Sequence, residues 1–375
     1  MPARDRDLKP ATRALHPGAK PAQQGAPIAP QPVFAAPFHL RGDPASSAYG
    51  YGRYDTPTWT AYEAALGAIE NADALLFASG MAAATAVLLP ALRPGDVVVL
   101  PADGYYQVRA LAADHLTPRG IEVREVPTDE DAIRAALPGA ALVWLETPSN
   151  PGLDTVDVRA LAQAAHAAGA IVAADNTLAT PFGQSPLDLG ADVTVVSVTK
   201  AMAGHSDLLL GYVGTRSPER HERLVRWRSL SGPIPGPFEA WLAHRSLATL
   251  DVRLQRMCAT ALALAEALLA RDDVLAVRYP GLPGDPSHAV AARQMRLFGP
   301  VLTFTLRDAA AAQRFLDEAS LVTEATSFGG AHTTAERRAR WGSDGVAEGL
   351  IRVSAGLEDA DDLIAAVVRA LDALG

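Results

Sequence analysis

The 375-residue sequence contains a single cysteine, Cys258, which excludes an intrachain disulfide framework and a cysteine-based zinc centre. It lies in an apolar helical run over 257–269, where a small buried hydrophobe is the expected role rather than a nucleophile. Long apolar runs are missing too. No 18 residues pass without a charge or a breaker, so no membrane-spanning helix is expected. The first ten residues, MPARDRDLKP, are charged and lack the apolar stretch of a secretory signal, which leads to the expectation of a cytoplasmic protein. Basic charge is not in excess either. Against 42 Asp and Glu stand 33 Lys and Arg, and a net charge of -9 is wrong for a nucleic-acid or anionic-membrane surface. Arg337, Arg338 and Arg340 read as a solvated face. No metal site is expected. No Gly-x-Gly-x-x-Gly turn follows an early strand, which counts against a nicotinamide-dependent oxidoreductase.

What is present is a chain long enough for two domains, because single cores stop growing at roughly 250–300 residues. Residues 1–50 are rich in Pro, Gly and Ala and read as an extended arm, which a neighbouring subunit would have to order. From there to about 215, short apolar runs recur at 74–78, 97–100, 123–126, 141–145, 170–174, 193–197 and 212–214, separated by helical stretches. Seven such runs alternating with helices predict an α/β fold with a mainly parallel, seven-stranded sheet covered on both faces. A long helical stretch over 238–271 follows a Gly/Pro-rich segment, and then an α+β pattern: apolar 301–306, helical 309–319, strand-like 351–354 and helical 360–374. The expected division is therefore an arm over 1–50, a large domain over 51–235 and a smaller C-terminal domain over 236–375.

In such sheets ligands sit at the carboxyl ends of the strands. The run ending at 174 leads into Asp175-Asn176-Thr177, and the next into Ser197-Val198-Thr199-Lys200, followed by Gly204-His205-Ser206-Asp207. A phosphorylated pyridine aldehyde needs this set: a carboxylate to keep the ring nitrogen protonated, a lysine to form an imine, and hydroxyls for the phosphate. Each piece alone is weak, since a lone lysine is usually on the surface and Asp after a strand is often a helix cap. Two further groups support the set. Phe77-Ala78-Ser79-Gly80-Met81-Ala82 reads as a strand turning into a helix whose first N–H groups would favour a phosphate, although a plain Ser N-cap looks the same. Tyr51-Gly52-Arg53 places an aromatic and a cation on one side of an extended segment.

These segments, together with Thr56-Pro57-Thr58, Glu146-Thr147-Pro148-Ser149-Asn150-Pro151 and Arg352-Val353-Ser354-Ala355-Gly356-Leu357-Glu358-Asp359, give a chain that resembles the Cys/Met-metabolism, pyridoxal-phosphate (PLP) dependent enzymes. That family comprises the cystathionine γ-lyases, methionine γ-lyases, cystathionine β-lyases and cystathionine γ-synthases. The similarity runs from about Thr12 to the C-terminus. It implies a PLP-dependent transferase fold of type I, like that of aspartate aminotransferase, with pyridoxal 5'-phosphate as cofactor. It also implies a small sulfur-containing amino acid as substrate and a homotetramer built as a dimer of dimers.

Carried over residue by residue, the resemblance makes Lys200 the imine-forming lysine and proton carrier, and Asp175 the partner of the pyridinium nitrogen. Gly80, Met81, Ser197 and Thr199 would bind the phosphate, with Tyr51 and Arg53 reaching in from the other subunit. Asn150 would sit near the cofactor's phenolic oxygen, and Arg352 would hold the substrate carboxylate bidentately. Ser327 would orient Lys200 and that carboxylate. Tyr106, preferred to the adjacent Tyr105, would stack on the ring and assist proton transfer. The sequence departs from the family in three places, of which Thr56, where Asn is usual, is the smallest. Tyr106-Gln107-Val108-Arg109 stands where Tyr-Gly-Gly-Thr or Tyr-Gly-Cys-Thr is usual, so the cysteine of methionine γ-lyases is missing. Ala331-His332-Thr333 replaces the usual x-Glu-Ser, which makes His332 a surface residue, a substrate contact or a pH-sensitive group. The expected reaction is α,γ-elimination on cystathionine, ahead of methionine, with γ-replacement third.

Overall fold

The computed structural model describes residues 8–16 and 24–375. Each of the seven early apolar runs forms a strand: β1 (Asp73–Phe77), β2 (Val97–Pro101), β3 (Glu122–Val126), β4 (Ala140–Glu146), β5 (Ile171–Asp175), β6 (Val193–Ser197) and β7 (Gly211–Thr215). They make one sheet in the order β1-β7-β6-β5-β4-β2-β3. The pairs among β2 to β6 are parallel, and β7 runs against both neighbours. Strands such as β2 are buried along their whole length because helices cover both faces, so they read as continuous apolar runs without alternation.

Register places the site. Asp175 at the end of β5 pairs with Glu146 at the end of β4 and with Val195 of β6. Gly211 of β7 pairs with both Phe77 and Ser197, so the turn after β1 emerges level with the end of β6. The carboxyl ends of β1, β4, β5 and β6 thus open on the same edge.

A second sheet has five strands: β8 (Ala276–Arg278), β9 (Val301–Thr305), β10 (Thr323–Glu324), β11 (Thr334–Arg337) and β12 (Leu350–Ser354), in the order β10-β11-β12-β9-β8. The helices Leu250–Leu269, Ala309–Glu318 and Ala360–Asp372 pack on it through a core that includes Leu264, Phe304, Phe315, Ile351 and Val367. β9, β12 and the last two of those helices match the sequence pattern. β8, β10 and β11 are too short, or too polar on their exposed residues, to register as apolar runs.

The predicted helix over 238–271 is two helices, Pro237–Leu247 and Leu250–Leu269. Arg253, 6 % exposed, explains how the break is tolerated. Its guanidinium donates to the carbonyl of Ser246 at the end of the first helix, which also accepts from the Thr249 N–H, and to the carbonyls of Ala201 and Met202 just after Lys200. Part of the expected arm is helical as well: Pro10–Leu15 lies on the helix Pro57–Glu70, with Ala14 buried and Arg13 donating to the carbonyl of Ala68. Cys258 is buried, as read from the sequence, and burial pushes its thiol up to about 12.

Candidate active site

A cavity of about 370 Å³ opens where the two sheets approach. Lys200, Asp175, Ser197, Thr199, Gly80, Met81, Asn150, Tyr106, Ser327 and Arg352 all line it. Tyr105 lines it beside Tyr106, their rings edge to face with centroids 5.3 Å apart. Tyr51 and Arg53 do not. Arg53 donates to the carbonyl of Ser229 and lies 4.8 Å over the Tyr54 ring, while Tyr51 is exposed. His332 is exposed and outside the cavity.

The floor is built by the strand ends. The Ser79 side chain caps the helix Gly80–Ala91 by accepting from the Ala82 N–H, and the Ser79 carbonyl accepts from Ala83. Of the four N–H groups a helix start leaves over, those of Gly80 and Met81 remain at the cavity. Only glycine fits at 80, because a Cβ there would come within 2.6 Å of Ser197 Cβ. Two free N–H groups at a helix start beside the hydroxyls of Ser197 and Thr199 suit a phosphate.

Asp175 accepts from the Thr177 N–H at 3.0 Å, and Thr177 Oγ1 accepts from the Ser197 N–H at 2.8 Å, which locks β5 to β6. Burial raises the Asp175 carboxyl, against the pull of Thr177 and Lys200. Glu146 in the neighbouring strand is raised well above the carboxylate range by burial and by the Asp175 charge. Two carboxyls side by side in a dry site do not both ionise readily. Asp175, with Thr177 and Lys200 favouring its charge, is the one to pair with a buried cation. Glu146 also accepts the Tyr105 N–H at 2.7 Å, so it fixes the start of the tyrosine pair.

Lys200 Nζ donates to Ser327 Oγ at 2.7 Å and stands 5.2 Å from the centre of the Phe328 ring. Burial first, and then the Arg352 charge, draw its ammonium down to about 8, so a reactive free amine is present near neutral pH. Ser327 adopts φ 82, a left-handed conformation uncommon for a serine. Gly329, at φ 78, follows because a Cβ there would meet the Ala201 nitrogen at 2.4 Å. Backbone strain at a cavity wall is tolerated where surrounding contacts fix it, and here it aims the Ser327 hydroxyl at the lysine.

On the opposite wall Arg352, Asn150 and Ser327 were expected from the sequence, and the charged groups around them were not. Arg352, 3 % exposed, donates to Asn150 Oδ1 at 2.7 Å, to the Ser327 carbonyl at 2.9 Å and to Glu336 Oε1 at 2.5 Å. Glu336 is fully buried and also accepts from Arg338 at 2.7 Å and from Trp341 Nε1 at 2.9 Å. Burial alone would raise the Glu336 carboxyl, but Arg352, Trp341 and Arg338 together hold it below the usual range. Arg338 is 5 % exposed and lines the cavity, which corrects its reading as part of a solvated face. Phe328 and Trp341 also line the cavity without a distinguishing sequence signal, and Thr177 lines it as the last residue of the motif that begins at Asp175. Glu146, by contrast, was visible as the first residue of its quoted motif.

A cavity of this size, with an imine-forming amine, a buried carboxylate and a phosphate cradle, fits pyridoxal phosphate residue by residue. The protein is a PLP-dependent enzyme of fold type I. The family model of the Cys/Met metabolism PLP-dependent enzymes matches residues 11–372, and the chain belongs to that family. It is 56% identical, over 96% of this chain and 93% of the relative, to a Streptomyces coelicolor protein provisionally named cystathionine gamma-lyase. It is 39% identical to the cystathionine gamma-synthase of Mycobacterium tuberculosis, over 96% of each chain. It superimposes with a TM-score of 0.91 on apo CalE6, a methionine gamma lyase from Micromonospora echinospora, at 39% identity over 97% of this chain and 99% of that one. The enzyme therefore acts in sulfur amino-acid metabolism. No described helix is long and apolar enough to cross a membrane.

Proposed function

We propose that the enzyme is a cystathionine γ-lyase, converting cystathionine and water to cysteine, ammonia and 2-oxobutanoate. The observation that carries the elimination chemistry is the Lys200 amine, drawn down to about 8 and held by Ser327 in a cavity it shares with Asp175. Bound PLP supplies the electron sink that makes the substrate Cα and Cβ protons acidic. Asp175 keeps the ring nitrogen protonated. With the cofactor bound, Lys200 Nζ would carry the Cα proton to the imine carbon of the cofactor and, a free base again, would remove the Cβ proton, while Tyr106 would donate a proton to the departing γ-sulfur. Arg352, oriented by Asn150 and Glu336, holds the α-carboxylate. Gly80, Met81, Ser197 and Thr199 bind the phosphate.

The provisional name of the Streptomyces coelicolor relative supports cystathionine as substrate. Methionine is the second choice, because the one cysteine, Cys258, lies in the helix Leu250–Leu269 and not among the cavity residues. γ-Replacement on an O-acyl-homoserine, by cystathionine γ-synthase or sulfhydrylase chemistry, is third. Tyr51 and Arg53 lie outside their own cavity, which suits a site completed across a dimer, with two dimers forming a tetramer in the cytoplasm. The unit boundaries that go with this are an arm over 1–50, a cofactor-binding domain over 51–235 and a small domain over 236–375.

The pure enzyme is to be incubated separately with cystathionine, methionine, and an O-acyl-homoserine plus cysteine. Cysteine and 2-oxobutanoate released from cystathionine is the expected result. Net synthesis of cystathionine with little elimination would assign γ-replacement instead.

A further inference from the structure

Two guanidiniums line the cavity, and the reaction above uses only one of them. Arg352 is engaged with Asn150 and Ser327, the position from which it holds an α-carboxylate. Arg338 comes from a different segment, the 3-10 turn Arg338–Trp341 that follows β11. The carboxylates that hold Arg338 in place, Glu336 and Asp344, are not cavity residues. The two carboxylates thus stand outside the lining, and the two arginines belong to it. Arg338 uses three N–H groups on those carboxylates, Nε and Nη2 on Asp344 and Nη1 on Glu336. A guanidinium has five, so two remain, enough for a carboxylate. The turn is also fastened from outside. Arg109, in the segment that departs from the family pattern, donates to the Ser343 carbonyl at 2.9 Å and pairs with Asp344 at 3.8 Å.

We propose that Arg338, backed by Glu336 and flanked by Trp341, recognises a second carboxylate, so that the preferred substrates are α-amino acids whose γ-substituent ends in a carboxylate. This rests on the γ-elimination reading for its substrates but not for its binding test. Arg352 and Arg338 both donate to Glu336 Oε1, at 2.5 and 2.7 Å, so their heads stand side by side. The γ-substituent accordingly turns back toward the wall that holds the α-carboxylate. Methionine and O-acetylhomoserine have nothing to offer Arg338. Cystathionine and O-succinylhomoserine do, and the same chemistry serves both.

The test compares L-norleucine with L-2-aminopimelate, which differ by one terminal carboxylate and carry no γ-leaving group, by calorimetric titration of the holoenzyme. The wild type is expected to bind aminopimelate at least ~10-fold more tightly, the size of a charge-assisted hydrogen-bond pair. Arg338→Lys keeps the charge but not the fork, and is expected to erase most of that advantage while norleucine binding stays the same. Arg338→Met is to be run beside it. Equal affinity of the two ligands in the wild type overturns the proposal without any variant having to fold. Equal loss of both ligands in Arg338→Lys overturns it as well, since that is how a strut for Arg352 would behave. Release of 2-oxobutanoate from the four substrates then identifies the source. A preference for either cystathionine or O-succinylhomoserine over methionine and O-acetylhomoserine supports the assignment, and equal turnover of all four contradicts it. Should none release 2-oxobutanoate, the γ-elimination reading fails while the titration still decides the role of Arg338.

Discussion

The two walls of the cavity are built differently. One is made of strand ends: Asp175, Ser197 and Lys200 lie at or within three residues of a strand terminus, and Thr177 ties the first two together, donating to Asp175 and accepting from Ser197. The other depends on partners far apart in sequence. Arg352 reaches Asn150, 202 positions away, and Arg109 reaches Ser343, 234 positions away. The first wall carries the chemistry, because a parallel sheet fixes its strand ends rigidly. The second holds the substrate's charges with ion pairs whose worth depends on mutual burial, so it is where relatives with the same chemistry can diverge.

That difference predicts which kinetic constant each wall controls. Asp175→Asn removes the charge opposite the ring nitrogen, and kcat should fall about 100-fold or more with substrate KM little changed. Steady-state kinetics on cofactor-saturated enzyme checks this, and a change confined to KM would break the division. Arg352→Lys keeps a cation but loses the fork, so kcat/KM should fall about 10–100-fold, mainly through KM. A drop confined to kcat would mean that the guanidinium acts on the reacting atoms.

The walls meet electrostatically at Lys200. Its ammonium is drawn from 10.5 to about 8 by burial and then by Arg352. A group lowered in this way loses its proton as pH rises through its folded value. The imine-forming rate of cofactor-free enzyme should therefore rise with pH, with a midpoint near 8, and level off above it. Arg352→Met removes one of the two causes, so the midpoint should move up, by less than a full return to the lysine value. Stopped-flow uptake of PLP across pH 6.5–10 would measure both. An unmoved midpoint would leave burial as the whole cause.

Legibility in the sequence followed the same division. All seven strands of the large sheet were visible as apolar runs, six of them because they are largely buried, the edge strand β3 being the partly exposed exception, and the residues just past them could be named from the pattern alone. Lys200, Asp175 and Gly80 fall in that group. The small sheet was half legible: β9 and β12 are apolar, whereas β11 reads Thr334-Ala335-Glu336-Arg337 and hides a fully buried glutamate. Glu336 and Arg338 look like surface charges because only the fold brings Arg352 and Asp344 to them. The helix break at Ala248–Thr249 was invisible for the same reason, since the arginine that compensates it binds carbonyls after Lys200.

The chain holds three lysines, Lys9, Lys20 and Lys200. Lys200 lines the cavity, Lys9 does not, and Lys20 lies outside the described residues. Borohydride reduction of the holoenzyme followed by peptide mapping therefore gives an unambiguous answer. The account predicts one pyridoxyl group per chain, carried on Lys200, and loss of the visible cofactor band in Lys200→Ala. A pyridoxyl group on Lys9 or Lys20, or an unchanged band in that variant, would contradict it.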